Sequence, residues 1–227
     1  MKISLKIAGF LALIGVASVS FSQTNEITIR FIGNCGLYMT DGSSNIYIDF
    51  PYKSGAYNYM EYDVSELDSI KTNPIFIYTH KHADHYSGKL VKKLAKDLGG
   101  RIYSPGNIRE LLKLSQNLND FTIEAFKTKH RYSFHHYSYL ITWHHKRIYI
   151  SGDASNAETI AALKDIDWAF VPVWLLTDAK EKGLNLGIVS NMFAIYHIGP
   201  GNRITNKSND PKIKLLIRQG DLIKIKY

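Results

Sequence analysis

The stretch Ile75-Phe-Ile-Tyr-Thr-His80-Lys-His82-Ala-Asp84-His85-Tyr-Ser-Gly88 decides how the chain is read. An apolar, β-prone run stops abruptly at three histidines and an aspartate. Side chains two apart on an extended segment point the same way, so His80 and His82 share a side. Asp84 and His85 follow in the turn that opens a helix, and they face the same space from another direction. Imidazole together with carboxylate is a donor set for zinc, iron or manganese. Adjacent side chains diverge, so one ion does not easily take all four donors, whereas two neighbouring ions can. The stretch is therefore read as one arm of a two-metal site on a strand-to-helix loop. The bland alternative is a solvated polar loop.

Upstream, residues 26–32 alternate polar and apolar as a half-buried strand does. Residues 36–40 resume after Gly33 and Asn34. Asp41-Gly42 marks a hairpin turn, and residues 46–50 return, predicting an antiparallel meander. Residues 52–63 are rich in tyrosine with no period and predict a loop overhanging a site. Residues 64–71 predict a short helix, and residues 75–79 a central strand.

Downstream, Leu90, Val91, Leu94 and Leu98 recur at helical spacing up to Gly99-Gly100, predicting a helix over 87–98. A strand over 101–104, a helix over 107–114 and a strand over 121–127 rising to His130 follow. Residues 137–143 and 147–150 predict a hairpin around His144-His145-Lys146, which reads as plain surface. Next comes Ser151-Gly152-Asp153, then Ser155 as the cap of a helix over 156–164. Residues 168–174 predict a strand that Pro172 shortens or places at an edge. A helix over 178–191, a strand over 193–196 ending in His197, and strands over 213–217 and 222–226 complete the chain. Four apolar strands thus end on a candidate ligand: the His80 cluster, His130, Asp153 and His197. Segments far apart in sequence build one site at a sheet rim in this way.

The N-terminus reads differently from the rest. A basic head with Lys2 and Lys6, an apolar run over 7–16 and the small-residue segment up to Ser22 have the pattern of a secretory signal peptide. Residues 1–22 are thus expected to be cleaved before Gln23, leaving one domain over 23–227, secreted or periplasmic, with no stable membrane anchor. The 227-residue chain has 45% hydrophobic and 21% charged residues, ordinary for a globular domain. Its formal charge is +8, compatible with a small anionic substrate. The basic residues are dispersed, so no nucleic-acid partner is expected. Cys35 is the one cysteine, which excludes an internal disulfide and any Cys-rich metal site. It reads as a buried structural thiol.

Taken together, these residues resemble the metallo-β-lactamase fold superfamily. His80-Lys-His82-Ala-Asp84-His85 matches its HxHxDH motif, Ser151-Gly152-Asp153 its Gly-Asp step, and His130 and His197 its strand-end histidines. The resemblance implies an α+β fold, a four-layer αβ/βα sandwich, with metals along one edge. It assigns His80, His82 and His130 to one ion, Asp84, His85 and His197 to a second, and Asp153 as a bridge. His135 and His136 compete with His130 for its place. The family's variant with cysteine at a metal position does not apply, with Asp153 in the bridging place and Cys35 elsewhere.

The resemblance implies a hydrolase with two divalent cations, zinc first, with manganese or iron as alternatives. Largely uncancelled metal charge lowers the pKa of bound water from 15.7 to about 7, so a bridging hydroxide is present at neutral pH. It would attack an ester, lactone, amide or phosphodiester, with Asp84 orienting it and moving its proton. Asp49 is a candidate hydrogen-bond partner of a ligating histidine, or a strand-end aspartate without that role. Arg203 is a candidate contact for an anionic substrate. Within the superfamily the compact tail and Asp167-Trp-Ala-Phe-Val-Pro-Val-Trp174 resemble the ascorbate-6-phosphate lactonase-like branch. A true β-lactamase and a metal-binding protein without catalysis are the alternatives. Ribonuclease Z-like processing is disfavoured by export, and di-iron redox chemistry by His82 where those relatives place a glutamate.

Overall fold

Strand sequences that are apolar on both faces need cover on both faces, and this chain supplies it with two sheets and flanking helices. The computed structural model describes residues 25–199 and 209–227. The signal peptide expected at residues 1–22 lies outside the described residues, and so does Arg203. Among the described residues no helix is long and apolar enough to cross a membrane.

The first sheet contains β1 (Glu26–Gly33), β2 (Gly36–Thr40), β3 (Asn45–Ile48), β4 (Ile75–Ile77) and β5 (Arg101–Tyr103). Between β3 and β4 lies the one-turn helix α1 (Ser65–Asp68), and between β4 and β5 the longer α2 (Gly88–Leu98). After α3 (Ile108–Leu112) the chain enters the second sheet with β6 (Phe121–Lys127), β7 (Tyr137–Trp143) and β8 (Lys146–Ile150). It continues through α4 (Glu158–Ala161), β9 (Ile166–Pro172), α5 (Val173–Glu181), β10 (Ser190–Tyr196) and β11 (Ile213–Leu215). The last strand, β12 (Leu222–Lys226), returns to the first sheet. The strand orders are β12-β1-β2-β3-β4-β5 and β11-β10-β9-β8-β7-β6. Each sheet is antiparallel at its start and parallel further on, through β3-β4-β5 and through β8-β9-β10-β11.

Side-chain alternation sorts the apolar residues into three layers of packing. Ile75 and Ile77 of β4 face the space between the sheets with Ile148, Ile150 and Phe170. Phe76 and Tyr78 point the other way, onto Val91 and Ala95 of α2. On the far side Tyr149 and Val171 pack with Leu175 and Ala179 of α5. Each fully buried side chain of this kind contributes about 1.5–3 kcal/mol. The result is the expected α+β sandwich, helices outside and two sheets inside.

Several local expectations change. β4 lies one strand from the sheet edge rather than at its centre. β9 is interior despite Pro172, because its pairing with β8 stops at Phe170 and the missing N–H faces no ladder on that side. Pro172 instead caps α5, which starts at Val173 and ends before Gly183, whose φ of +67° suits glycine. The helix expected over 178–191 therefore sits earlier in the chain. α4 is a single turn capped by Ala157, and the Ser155 hydroxyl donates instead to the Lys129 carbonyl at 2.9 Å.

Candidate metal centre

Strand ends turn sharply at one rim to present these side chains. Asn34, Asp49 and His197 adopt φ of +48°, +46° and +53°, and Gly152 adopts +55°. Asn, Asp and His tolerate this region better than other side-chain-bearing residues. Gly152 is required sterically as well. A Cβ there would lie 2.7 Å from His136 Nε2 and 2.8 Å from Thr79 Cβ.

The donors fall into two groups. Cys35, His85, Asp153 and His197 are all buried, with ligand atoms within 4.8 Å of one another. His80, His82 and His130 form the second group on the same criterion, with His82 and His130 partly exposed. Asp153 reaches both. Its Oδ1 is 3.1 Å from His85 Nε2, and its Oδ2 is 3.2 Å from His197 Nε2. The same Oδ2 lies 3.8 Å from His130 Nε2 and 3.9 Å from His80 Nε2. Asp84 Oδ2 stands 3.2 Å from His197 Nε2 and 3.5 Å from His85 Nε2.

The hydrogen bonds behind these groups fix which nitrogen faces inward. Asp49 accepts from the Thr79 N–H at 2.8 Å, the Thr79 hydroxyl at 2.7 Å and His85 Nδ1 at 2.9 Å. With its own proton on Asp49, the Thr79 oxygen accepts from His80 Nδ1, 3.1 Å away. The Nε2 atoms of His80 and His85 are thereby turned toward the centre. His82 is reversed: its Nε2 donates to the Tyr132 carbonyl at 3.3 Å, so Nδ1 faces His130 Nε2 at 3.1 Å. Asn34 Nδ2 donates to the Asp84 carbonyl at 2.9 Å, and the Asn34 carbonyl accepts from the His197 N–H at 3.0 Å. The rings of Tyr59 and Trp174 flank His197, with centroids 4.3 and 5.1 Å away.

The residues fit a cation. His80 Nε2, His85 Nε2 and His197 Nε2 are buried without a hydrogen-bond partner, and buried polar atoms are seldom left so. Burial opposes the Asp153 charge, but His85 and His197 outweigh it and hold its carboxyl well below the usual carboxylate range. Burial lowers His85, but Asp153 and then Asp49 reverse this and carry it well above the ordinary imidazole value. Burial and the neighbouring histidines keep His80 neutral. Cation binding displaces imidazole protons, so affinity here rises with pH.

All seven expected ligands, His80, His82, Asp84, His85, His130, Asp153 and His197, converge on this rim. Asp49, left open between two readings, holds His85 and, through Thr79, His80. His135 is exposed, whereas His136 is buried and accepts the Asp153 N–H at 2.9 Å through Nε2. Its Nδ1 then donates to Thr128 (2.7 Å), which donates to Ser138 (3.1 Å), which donates to the Ser151 carbonyl (2.7 Å). That chain spends both ring nitrogens of His136, which positions Asp153, whereas His130 Nε2 faces His82 Nδ1 and Asp153. His144 is not plain surface: it pairs with Asp41 at 2.9 Å and stacks on Tyr227. The largest correction concerns Cys35. It lies beside the centre rather than elsewhere, with Sγ 3.9 Å from Asp153 Oδ1. The signal for it was Gly33-Asn34-Cys35-Gly36 at a strand end, a polar interruption in the same position as the other donors.

A cavity of about 520 Å³ borders the exposed group, lined by Lys81, His82, Tyr132, Phe134, His135 and Tyr137 among others. A smaller one of about 270 Å³ opens by Asn34, Tyr59 and Ile198.

No protein-family model matches the sequence, and no curated protein matches it. In three dimensions the chain is similar to Igni18, a metallo hydrolase of the archaeon Ignicoccus hospitalis. The TM-score is 0.60 at 15% identity, over 89% of this chain and 99% of that one. It is similar to the metallo-β-lactamase fold protein YhfI of Bacillus subtilis, with TM-score 0.59 and 15% identity over 88% and 99% of the two chains. A diphosphatase from the PhnP family gives TM-score 0.59 and 14% identity over 88% and 97%. At such identities the likeness is one of fold: the chain has the metallo-β-lactamase fold.

Proposed function

We propose that this chain is an exported hydrolase that depends on two divalent cations and cleaves an ester, lactone, amide or phosphodiester bond in a small anionic substrate. One observation carries the reading. Three buried, partnerless imidazole nitrogens converge on Asp153, a carboxylate that reaches both donor groups. His80, His82 and His130 would hold one cation and Asp84, His85 and His197 the other, with Asp153 between them. Cations held there would supply Lewis acidity, lowering the pKa of bound water and polarising a scissile bond.

The chain's own residues do the rest. Asp49 and Thr79 keep His80 and His85 in the tautomers that face inward. Asp84 Oδ2, between two imidazoles, is placed to hold the nucleophile's proton and pass it to the leaving group. Tyr59 and Trp174 screen His197 from water. Lys81 and His135 beside the larger cavity favour a substrate with negative charge. The sequence after His197 and residues 167–174 resemble the ascorbate-6-phosphate lactonase-like branch, and that resemblance supports a reading of the chain as one of its members. The leader-like residues 1–22 support export, and zinc is the first choice of cation on the imidazole-rich donor set.

The test is a panel of esters, lactones, lactams and phosphodiesters on the metal-analysed protein, with His80→Ala and Asp153→Ala beside it. Cleavage by the wild type, lost in both variants, is expected. Activity that survives both substitutions overturns the mechanism. Two bound ions with no cleavage across the panel overturns the enzyme reading in favour of a metal-binding protein.

A further inference from the structure

The deeply buried donor group holds a cysteine, Cys35, beside its two histidines and Asp153. The turn between β1 and β2 is shaped to place Cys35 there. The β1-β2 register shifts between Phe31 and Gly33, Gly33 takes φ of +151°, and Asn34 takes +48°. A Cβ on Gly33 would meet the Tyr52 hydroxyl at 2.6 Å, so only glycine lets the turn close against that ring. Asn34 then ties the turn to both Asp84 and His197. Next in sequence, Cys35 has no exposed surface, and its Sγ approaches Asp153 Oδ1 across 118 positions of chain.

Sγ, His85 Nε2, His197 Nε2 and an Asp153 oxygen belong to one group with mutual distances within 4.8 Å. Donors sharing one cation stand no further apart than about twice a metal–ligand bond, roughly 4–5 Å. The two imidazole nitrogens supply an independent sign that the space receives a ligand. Both are buried and without a hydrogen-bond partner.

We propose that Cys35 is a thiolate ligand of the cation held by the buried group, joining His85, Asp153 and His197. The proposal rests on the metal reading above and adds a donor to it. On binding, the Cys35 S–H bond breaks, sulfur donates its electron pair to the cation, and the proton leaves to solvent. Coordination deprotonates a thiol outright. The consequence is a chemical asymmetry: the open group offers imidazole nitrogens, while the buried group includes a soft sulfur. Thiolate favours zinc over manganese, so the buried half is the zinc-selective one.

The full chain stripped of metal and loaded with two equivalents of cobalt(II) tests this directly. The expected result is an intense near-ultraviolet thiolate-to-cobalt absorption beside the visible cobalt bands. Cys35 is the one cysteine in the chain, so such a band has a single source and needs no variant to be assigned. Cys35→Ser is expected to lose it while keeping visible bands, to release about one proton fewer per chain on loading, and to bind zinc at least about tenfold more weakly. Two bound cobalt ions with visible bands but no thiolate absorption in the wild type overturn the proposal and leave the metal reading intact. Failure to bind cobalt or zinc at all overturns both.

Discussion

The two donor groups lie side by side at one rim, yet they are built differently. In the buried group every donor is enclosed, and most are anchored: the His85 ring by Asp49, Asp153 through its N–H by His136, and the His197 backbone by Asn34, which also holds the neighbouring Asp84 carbonyl. In the open group His82 and His130 are partly exposed, and His82 is held by one carbonyl of the loop that carries His130. His80 stands between these situations, buried but sharing Thr79 and Asp49 with the deep side. Burial with dense hydrogen bonding gives rigidity and affinity, whereas exposure beside a 520 Å³ cavity gives access. On the proposed reading, the difference would give retention of a cation to one half and entry of substrate to the other.

The strongest way to break this contrast is to truncate one histidine in each half. His85→Ala leaves the Asp49 and Asp153 carboxylates without their imidazole partner. Removing one member of a buried pair costs about 3–5 kcal/mol. His82→Ala removes a partly exposed ring and is expected to cost under about 1 kcal/mol while lowering metal content by about one ion per chain. Urea unfolding of the metal-free variants, with metal analysis of the loaded ones, measures both. Equal losses of stability would erase the distinction.

Gly152→Ala sharpens it by testing the hinge the halves share. Its Cβ would press on His136 and Thr79 from a left-handed backbone, and such strain costs of order 1–3 kcal/mol. The expected outcome is a lower unfolding midpoint with both metal affinities weakened. An unchanged midpoint would mean the rim is more pliant than its contacts imply.

Asp49→Asn acts mainly on the deep half. Weakening the acceptor behind His85 is expected to reduce zinc affinity there by about 10–100-fold, read by chelator competition. An equal or larger loss at the open group would place Asp49's main role elsewhere.

The smallest effect is a slope with pH. Burial holds His136 at about 3, below the ordinary imidazole value of 6.5. Between these values the unfolded chain binds a proton that the native chain refuses. Stability therefore falls as pH falls through that window, by at most about 1.4 kcal/mol per unit from this group. Above pH 6.5 it contributes no slope. Metal-free wild type compared with His136→Gln across pH 4–7 isolates the contribution, and parallel curves would show that His136 is not held neutral.

Much of the architecture was legible because local patterns are short-range physics. β2 and β6 follow their predicted spans because apolar alternation and flanking turn residues act on neighbours. α5 was misplaced because Val173-Trp174-Leu175 continues an apolar run. Only the end of pairing with β10 at Pro172, opposite Tyr196, shows that the strand stops there. His136 and His130 looked interchangeable in sequence. Their roles separate through Thr128, Ser138 and the Asp153 N–H, contacts that no local pattern encodes.

The sequence by itself determined the donor types and their delivery: three histidines and an aspartate at the end of β4, and three further donors after β6, β8 and β10. Spacing along a strand or turn sets which way each side chain leaves the backbone, and that is local. The tertiary structure alone decided the division into a buried and an open half, the supports behind each ring, and the position of Cys35 against Asp153. Burial, tautomer and nearest donor depend on what folds against a residue from more than a hundred positions away, and a linear reading holds no term for that contact.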